Sequence, residues 1–198
     1  MRAKPTRLRD KTICSVPVGK FVERVKDFHG ATAPGVILGG YMVELAYRNL
    51  PKGDILFDAL SETRTCLPDA IQLLTPCTIG NGWLKVLDLG KFALSLYDKS
   101  NGNGIRVFVD PAKLESFPEI RTWFFKLKTK KEQDLDVLLD EIHAGGSQVC
   151  GFMPVRLKPD IFAPRRHKTF RVCPICHESY PATDGDCCRA CSGKTPYL

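Results

Sequence analysis

The sequence has no apolar run approaching the ~18–20 residues that cross a bilayer, so no membrane-spanning helix is expected. No apolar stretch follows the basic segment Met1–Lys11, which argues against a secretory signal. There is no GxxxxGK(S/T) phosphate loop, and no glycine pattern fits GxGxxG between a strand and a helix. Neither GxSxG nor HExxH occurs. Nothing here points to a nucleotide-dependent or common hydrolytic enzyme. Internal repeats and low-complexity tracts are also missing. Hydrophobic residues make up 43% of the 198, enough for a packed core, and charged residues make up 26%, which rules out wholesale disorder. That length suits one medium domain and a small appendage.

The net charge of +7 is unevenly placed. Residues 1–20 carry +5, residues 21–150 carry −2 and residues 151–198 carry +4. The basic character belongs to the two ends, which weakens any reading of the core as a nucleic-acid surface.

Periodicity suggests a helix over 17–28, with Phe21, Val22, Val25 and Phe28 on one face and Gly30 closing it. A second helix spans Val36–Leu50, where Gly39 and Gly40 are expected to permit close approach of another backbone. Ile55–Leu60 reads as a strand and Pro68–Thr75 as a short helix. Trp83–Asp88 and Phe92–Tyr97 flank Leu89-Gly90, which suits a type II turn, and Ile105–Asp110 follows the Asn101–Gly104 turn. Helices are expected at Pro118–Leu127 and Asp134–His143, and a last strand at Val155–Phe162. The fold class is α+β: a mixed helix and antiparallel-sheet core over 1–160, a basic linker over 161–170 and a small zinc-binding module over 171–198.

Nine cysteines is an odd number, and five of them fall between Cys173 and Cys191. Metal binding in a reducing compartment explains them better than disulfides, and a cytoplasmic location is expected. Cys173-Pro-Ile-Cys176 and Cys188-Arg-Ala-Cys191 are two CxxC knuckles of the kind that closes a tetrahedral zinc site. Cys187 competes with Cys188; the two-residue gap favours Cys188. A segment this short cannot fold on its own core and needs a metal staple. Four thiolates around one Zn²⁺ leave a net −2 and no open coordination position, so the role is structural.

Three further segments stand out: Phe28-His29-Gly30-Ala31-Thr32-Ala33-Pro34-Gly35, Glu62-Thr63-Arg64-Thr65-Cys66-Leu67-Pro68-Asp69-Ala70 and Cys77-Thr78-Ile79-Gly80-Asn81-Gly82-Trp83-Leu84. In this order they resemble the FmdE family, named for formylmethanofuran dehydrogenase, over about residues 20–130. The tail resembles the treble-clef zinc finger that some members carry. The resemblance implies an α+β core, a homodimer, a His/Cys cleft associated with metal and a partner in a molybdenum or tungsten enzyme of one-carbon metabolism. It leaves room for a second metal in the core, at His29, Cys66 and Cys77. The family's first motif usually reads His-Gly-His-x-Cys-Pro-Gly. Here Ala31 and Ala33 stand at the second His and the Cys, and alanine cannot coordinate a metal.

Cys66 precedes a short helix, whose N-terminal dipole is expected to favour a thiolate there. Cys77 lies beyond the other end, about 12 Å of helix away. Each residue also has a plain structural reading: His29 as a capping residue, the cysteines as small buried apolar side chains. The Thr78–Gly82 amides serve either a turn or an anion cradle. The leading functional expectation is a zinc-containing accessory or ligand-binding protein rather than a stand-alone enzyme. The alternative is a nucleic-acid-binding regulator that uses its basic ends and the zinc finger, with weak binding expected. A thiol-dependent redox enzyme using Cys66 ranks third, because the core has no CxxC partner for it.

Overall fold

Residues 36–46 carry apolar side chains on every side of a helix rather than on one stripe. Val36, Ile37, Leu38, Met42, Val43 and Ala46 are all fully buried, which marks a helix enclosed all round. In the computed structural model this helix is α2, Pro34–Asn49. The structure describes residues 11–51, 53, 56–162 and 169–197. The chain divides into two compact units, Met1–Phe162 and Ala163–Leu198. Most of the basic N-terminal segment, Ile55 and the 163–168 stretch of the expected linker lie outside the described residues.

In the first unit a small hairpin, β1 (Thr12–Ile13) and β2 (Val16–Pro17), leads into α1, Val18–His29. Gly30 ends α1 in the left-handed region at φ 85, its N–H donating to the Lys26 carbonyl. Phe21 and Val25 are buried as expected, but Phe28 is exposed. Gly39 and Gly40 of α2 admit side chains rather than another backbone. A Cβ at Gly39 would stand 2.7 Å from the Ala70 methyl, and one at Gly40 would stand 2.5 Å from the Phe21 ring.

The sheet has the order β4-β3-β5-β6-β7. Its strands are β3 (Phe57–Ser61), β4 (Leu84–Val86), β5 (Ala93–Asp98), β6 (Asn103–Val109) and β7 (Cys150–Arg156). All pairs are antiparallel except β3 with β4, where Leu60 stands beside Lys85. The hairpin expected across Leu89-Gly90 therefore does not form. Gly90 does take a positive φ of 66, but β3 inserts between β4 and β5. The Ser61 carbonyl takes the N–H of Leu87, and the Glu62 carbonyl takes those of Leu89 and Lys91, which guides the chain around the end of β3. The last strand also lies earlier than expected. Gly151 lets β7 pass the Phe108 ring, where a Cβ would stand at 2.6 Å, and Pro159 opens a single helical turn, Pro159–Phe162, in place of sheet.

Helix α3, Leu67–Leu74, follows β3 and packs on α2. Helix α4 is Pro118–Phe124, shorter than expected, and α5 is Leu135–Gly145. Asp134 caps α5 by accepting from the N–H groups of Asp136 and Val137. The Glu62 carboxylate, 8% exposed, holds Arg106 through two bonds of 2.6 and 2.7 Å, tying the end of β3 to β6.

The second unit is built differently. Its strands β8 (Phe170–Val172) and β9 (Ser179–Pro181) form one hairpin. The buried cluster consists of Cys173, Tyr180 and Cys188, with Cys187 and Cys191 against it. So little hydrocarbon does not hold 36 residues by itself.

Candidate functional site

The turn between β8 and β9 carries Cys173 and Cys176; the segment after β9 returns Cys188 and Cys191 to it. One sulfur from each of these four lies within 4.8 Å of the others. The Cys176 and Cys188 sulfurs are 3.8 Å apart, the edge of a tetrahedron with Zn–S bonds of about 2.3 Å. The gathered set contains Cys188 and not Cys187. Backbone N–H groups of Cys188 and Cys176 pull the Cys173 thiol down to about 6, while the neighbouring Cys188 sulfur pushes Cys191 up to about 12. Four sulfurs this close do not all ionise beside one another without a cation, and a dication supplies what is missing.

The core candidates separate into two places. At the end of β3 the chain turns sharply into α3. The Leu67 N–H donates to the Thr65 carbonyl at 2.6 Å, and Cys66 between them takes φ 59, ψ −52. This is a γ-turn of the strained, positive-φ kind, costing about 1–3 kcal/mol. It sets the Cys66 sulfur against the first turn of α2, where a Cβ on Gly35 would stand 2.7 Å from it. His29, the last residue of α1, donates from Nδ1 to Asp69 Oδ2 at 2.6 Å. A carboxylate on Nδ1 fixes the ring and leaves Nε2 as the free nitrogen. Asp69 lies one turn along α3 from Cys66, so His29, Asp69 and Cys66 form one neighbourhood.

Two adjoining cavities open there. One, of about 490 Å³, has Cys66, Phe92, Phe124, Lys126 and Lys128 in its wall; the other, of about 380 Å³, has His29, Ala31, Ala33 and Leu138. Trp123, Lys130 and Gln133 line both. The aromatic side stands edge to face, with Phe92 and Phe124 ring centroids 6.1 Å apart at 88°.

Cys77 is elsewhere. It is buried beyond the far end of α3, its sulfur facing the Phe57 carbonyl at 3.7 Å, and it lines neither cavity. Among the described residues, the finger is where three or more ligand side chains gather around one point. His29, Cys66 and Cys77 make no such group, and the two alanines face the cavity with methyls. The residues present do not fit a core metal. Nor is the Thr78–Gly82 loop an anion cradle. Asn81 Oδ1 takes the N–H groups of Thr78 and Trp83, Gln72 takes that of Ile79, and Gly82 bonds back to Thr78.

The expected thiolate at Cys66 is also corrected. Burial pushes this thiol up, Asp69 pushes it further, and Lys130 opposes them. Desolvation is the largest of these influences, ahead of both neighbouring charges. The motifs did not single out Asp69, Trp123 or the lysines. Asp69 was readable as the acidic residue one turn after Cys66, and Lys126–Lys131 as a charge run.

A family model described as "FmdE, Molybdenum formylmethanofuran dehydrogenase operon" matches residues 28–157. The chain belongs to the FmdE family. The FmdE treble-clef zinc finger matches residues 164–198, which identifies the four-cysteine cluster as that finger's metal site. The crystal structure of a tungsten formylmethanofuran dehydrogenase FmdE-like protein from Syntrophus aciditrophicus is 50% identical. The match covers 95% of this chain and 98% of that one, with a TM-score of 0.87. A curated relative from Archaeoglobus fulgidus, a probable S-adenosyl-L-methionine-binding protein, is 37% identical over 103 residues. That alignment covers 48% of this chain and 28% of the relative, so the two share only a part of the relative's length. The nucleic-acid alternative finds no support in these comparisons. No helix among the described residues is long and apolar enough to cross a membrane.

Proposed function

We propose that this FmdE-family chain is a ligand-binding or accessory protein, not a stand-alone enzyme. Its core cleft takes a small organic molecule, and its zinc finger is a structural module that serves a protein partner. The observation that carries the reading is the cleft itself: Cys66 on a strained turn, the His29–Asp69 pair and Trp123 meet at two adjoining cavities of ligand size. Ala31 and Ala33 leave space where other members place larger polar side chains, which favours an organic occupant over an ion. The family's association with formylmethanofuran dehydrogenase makes a molybdenum or tungsten enzyme of one-carbon metabolism the natural partner. A homodimer and a cytoplasmic location belong to the same proposal.

Adenosine, AMP and S-adenosyl-L-methionine are suitable probes, because each carries a flat ring that can lie on Trp123. The readout is the rate of Cys66 alkylation, with Cys14, outside the cleft, as the internal control. A cleft ligand slows Cys66 and leaves Cys14 unchanged. If neither these probes nor benzene-1,3,5-tricarboxylate protects Cys66 at millimolar concentration, the ligand-cleft reading falls.

A further inference from the structure

The loop between α4 and α5 places Lys126, Lys128 and Lys130 around the cavity whose wall includes Cys66. Among the described residues none of the three makes an ion pair. The nearby carboxylates in sequence are occupied. Glu132 accepts from the Thr129 N–H and hydroxyl at 2.9 and 2.8 Å, and Asp134 caps α5. The cavity wall therefore holds three lysines and no carboxylate, although the charge of Lys128 is also felt by the nearby Glu132, and each ammonium raises the cost of the others. The wall beneath them is aromatic: Phe92, Trp123 and Phe124 are each half-buried, with part of each ring open. Such a set offers Coulomb attraction at the rim and a ring-stacking surface within.

We infer that this cleft selects a small anion carrying a planar ring, with its carboxylate or phosphate groups among Lys126, Lys128 and Lys130 and its ring against Trp123. The inference rests on the ligand-cleft reading above and adds the charge of the ligand to it. Carboxylate and phosphate present the same chemistry to a lysine, a compact anion accepting from an ammonium. Lys130 and Trp123 line both cavities, so a ligand longer than one ring can run from Cys66 towards His29.

The test uses full-length zinc-loaded protein carrying Trp83→Phe. The chain has two tryptophans, so this leaves Trp123 as the sole reporter. AMP, neutral adenosine and benzene-1,3,5-tricarboxylate are titrated while Trp123 fluorescence and heat are followed. AMP should bind at least about tenfold more tightly than adenosine in low salt. That advantage should collapse in ~1 M salt, where screening acts within about 3 Å. A variant with Lys126, Lys128 and Lys130 all changed to Gln should lose the advantage while keeping its circular dichroism. Binding of the tricarboxylate alone points to carboxylate ligands and of AMP alone to phosphates; either supports the inference. Equal binding of adenosine and AMP overturns the charge selection and leaves the ligand cleft standing. Unchanged AMP binding in the triple variant overturns it too, as does failure of both anions to bind.

Discussion

The two units treat cysteine in opposite ways. In the first, burial pushes the Cys14 and Cys150 thiols up to about 12 and raises Cys66 and Cys77 as well. These sulfurs sit in or against the main apolar cluster and behave as small hydrocarbons with a polarizable end. In the second, four sulfurs meet one another, and backbone N–H groups pull Cys173 down to about 6. The same side chain is a packing group in one unit and a ligand in the other. What differs is the rest of the unit. The first has a continuous apolar core running through α2 and the sheet, whereas the second has a three-residue buried cluster and needs a cation at its centre.

The largest expected effect separates the units outright. Structural zinc contributes about 10–16 kcal/mol in finger peptides. Cys176→Ser, or chelation of the metal, should unfold the segment from about residue 170 onward and leave the first unit folded. Cys187→Ser, which touches the cluster without joining it, should keep stoichiometric zinc. Metal analysis with limited proteolysis reads both. Stoichiometric zinc in Cys176→Ser, or its loss in Cys187→Ser, breaks the comparison.

Ion pairs sharpen it next. Glu62 and Arg106 are 8% and 20% exposed, so Glu62→Ala strands a largely buried guanidinium. The cost should be about 3 kcal/mol in a urea titration followed by tryptophan fluorescence. Both tryptophans lie in the first unit, so the probe ignores the finger. Arg189 pairs with Asp184 in the second unit but is 67% exposed. Asp184 is 11% exposed but its partner is solvated, so Asp184→Asn should cost less than about 1 kcal/mol, read in the second unit as less than about fivefold in zinc affinity by chelator competition. A similar cost for the two substitutions would mean that burial does not distinguish the units.

A smaller effect depends on pH. His143 is buried on α5 and shares a 2.9 Å hydrogen bond with the Tyr41 hydroxyl. Burial holds its imidazole below the ordinary value. The unfolded chain then binds more protons than the folded one below about pH 6.5, so stability is full above that pH and falls as acid is added. The urea midpoint of the first unit should drop between pH 7.5 and 5.5, and the drop should be shallower in His143→Gln. Equal slopes in the two proteins would assign the acid sensitivity to other groups.

Much of the fold was legible in the sequence, and the misreadings share a cause. Helices α1, α2, α3 and α5 announce themselves through apolar spacing, with Gly30 closing α1 and Pro68 in the first turn of α3, which are local signals. The partner of β4 is not local. Leu89-Gly90 carries the right turn chemistry, yet β3 occupies the edge that the hairpin would have used. Phe28 sits on the apolar stripe of α1 but ends up exposed, because nothing in a helix period says where the neighbouring wall stops. The finger was readable to its individual ligands, since a CxxC pair encodes its geometry within four residues. The cleft was readable only as motifs. That Asp69 holds His29, that Cys77 turns away and that Lys126, Lys128 and Lys130 line the same cavity as Cys66 all depend on how distant segments pack.

The smallest effect concerns Cys66, where the two units come nearest to behaving alike. Its backbone is strained, it precedes a helix, and Lys130 favours its thiolate, as befits a reactive sulfur. Burial and Asp69 push the other way and win. Cys66 should therefore alkylate more slowly than a free thiol at pH 8, with an apparent pKa above the ordinary ~8.5. It should still outpace Cys150, which is almost fully buried and pushed up to about 12. Asp69→Asn removes one of the two upward pushes, so Cys66 should quicken modestly while the finger keeps its zinc. Alkylation rates against pH, read peptide by peptide in zinc-loaded protein, supply the check. An apparent pKa below ~8.5 would show that the helix and Lys130 outweigh burial. Cys66 would then belong with the finger's sulfurs, as a thiolate held for chemistry rather than a thiol packed for space.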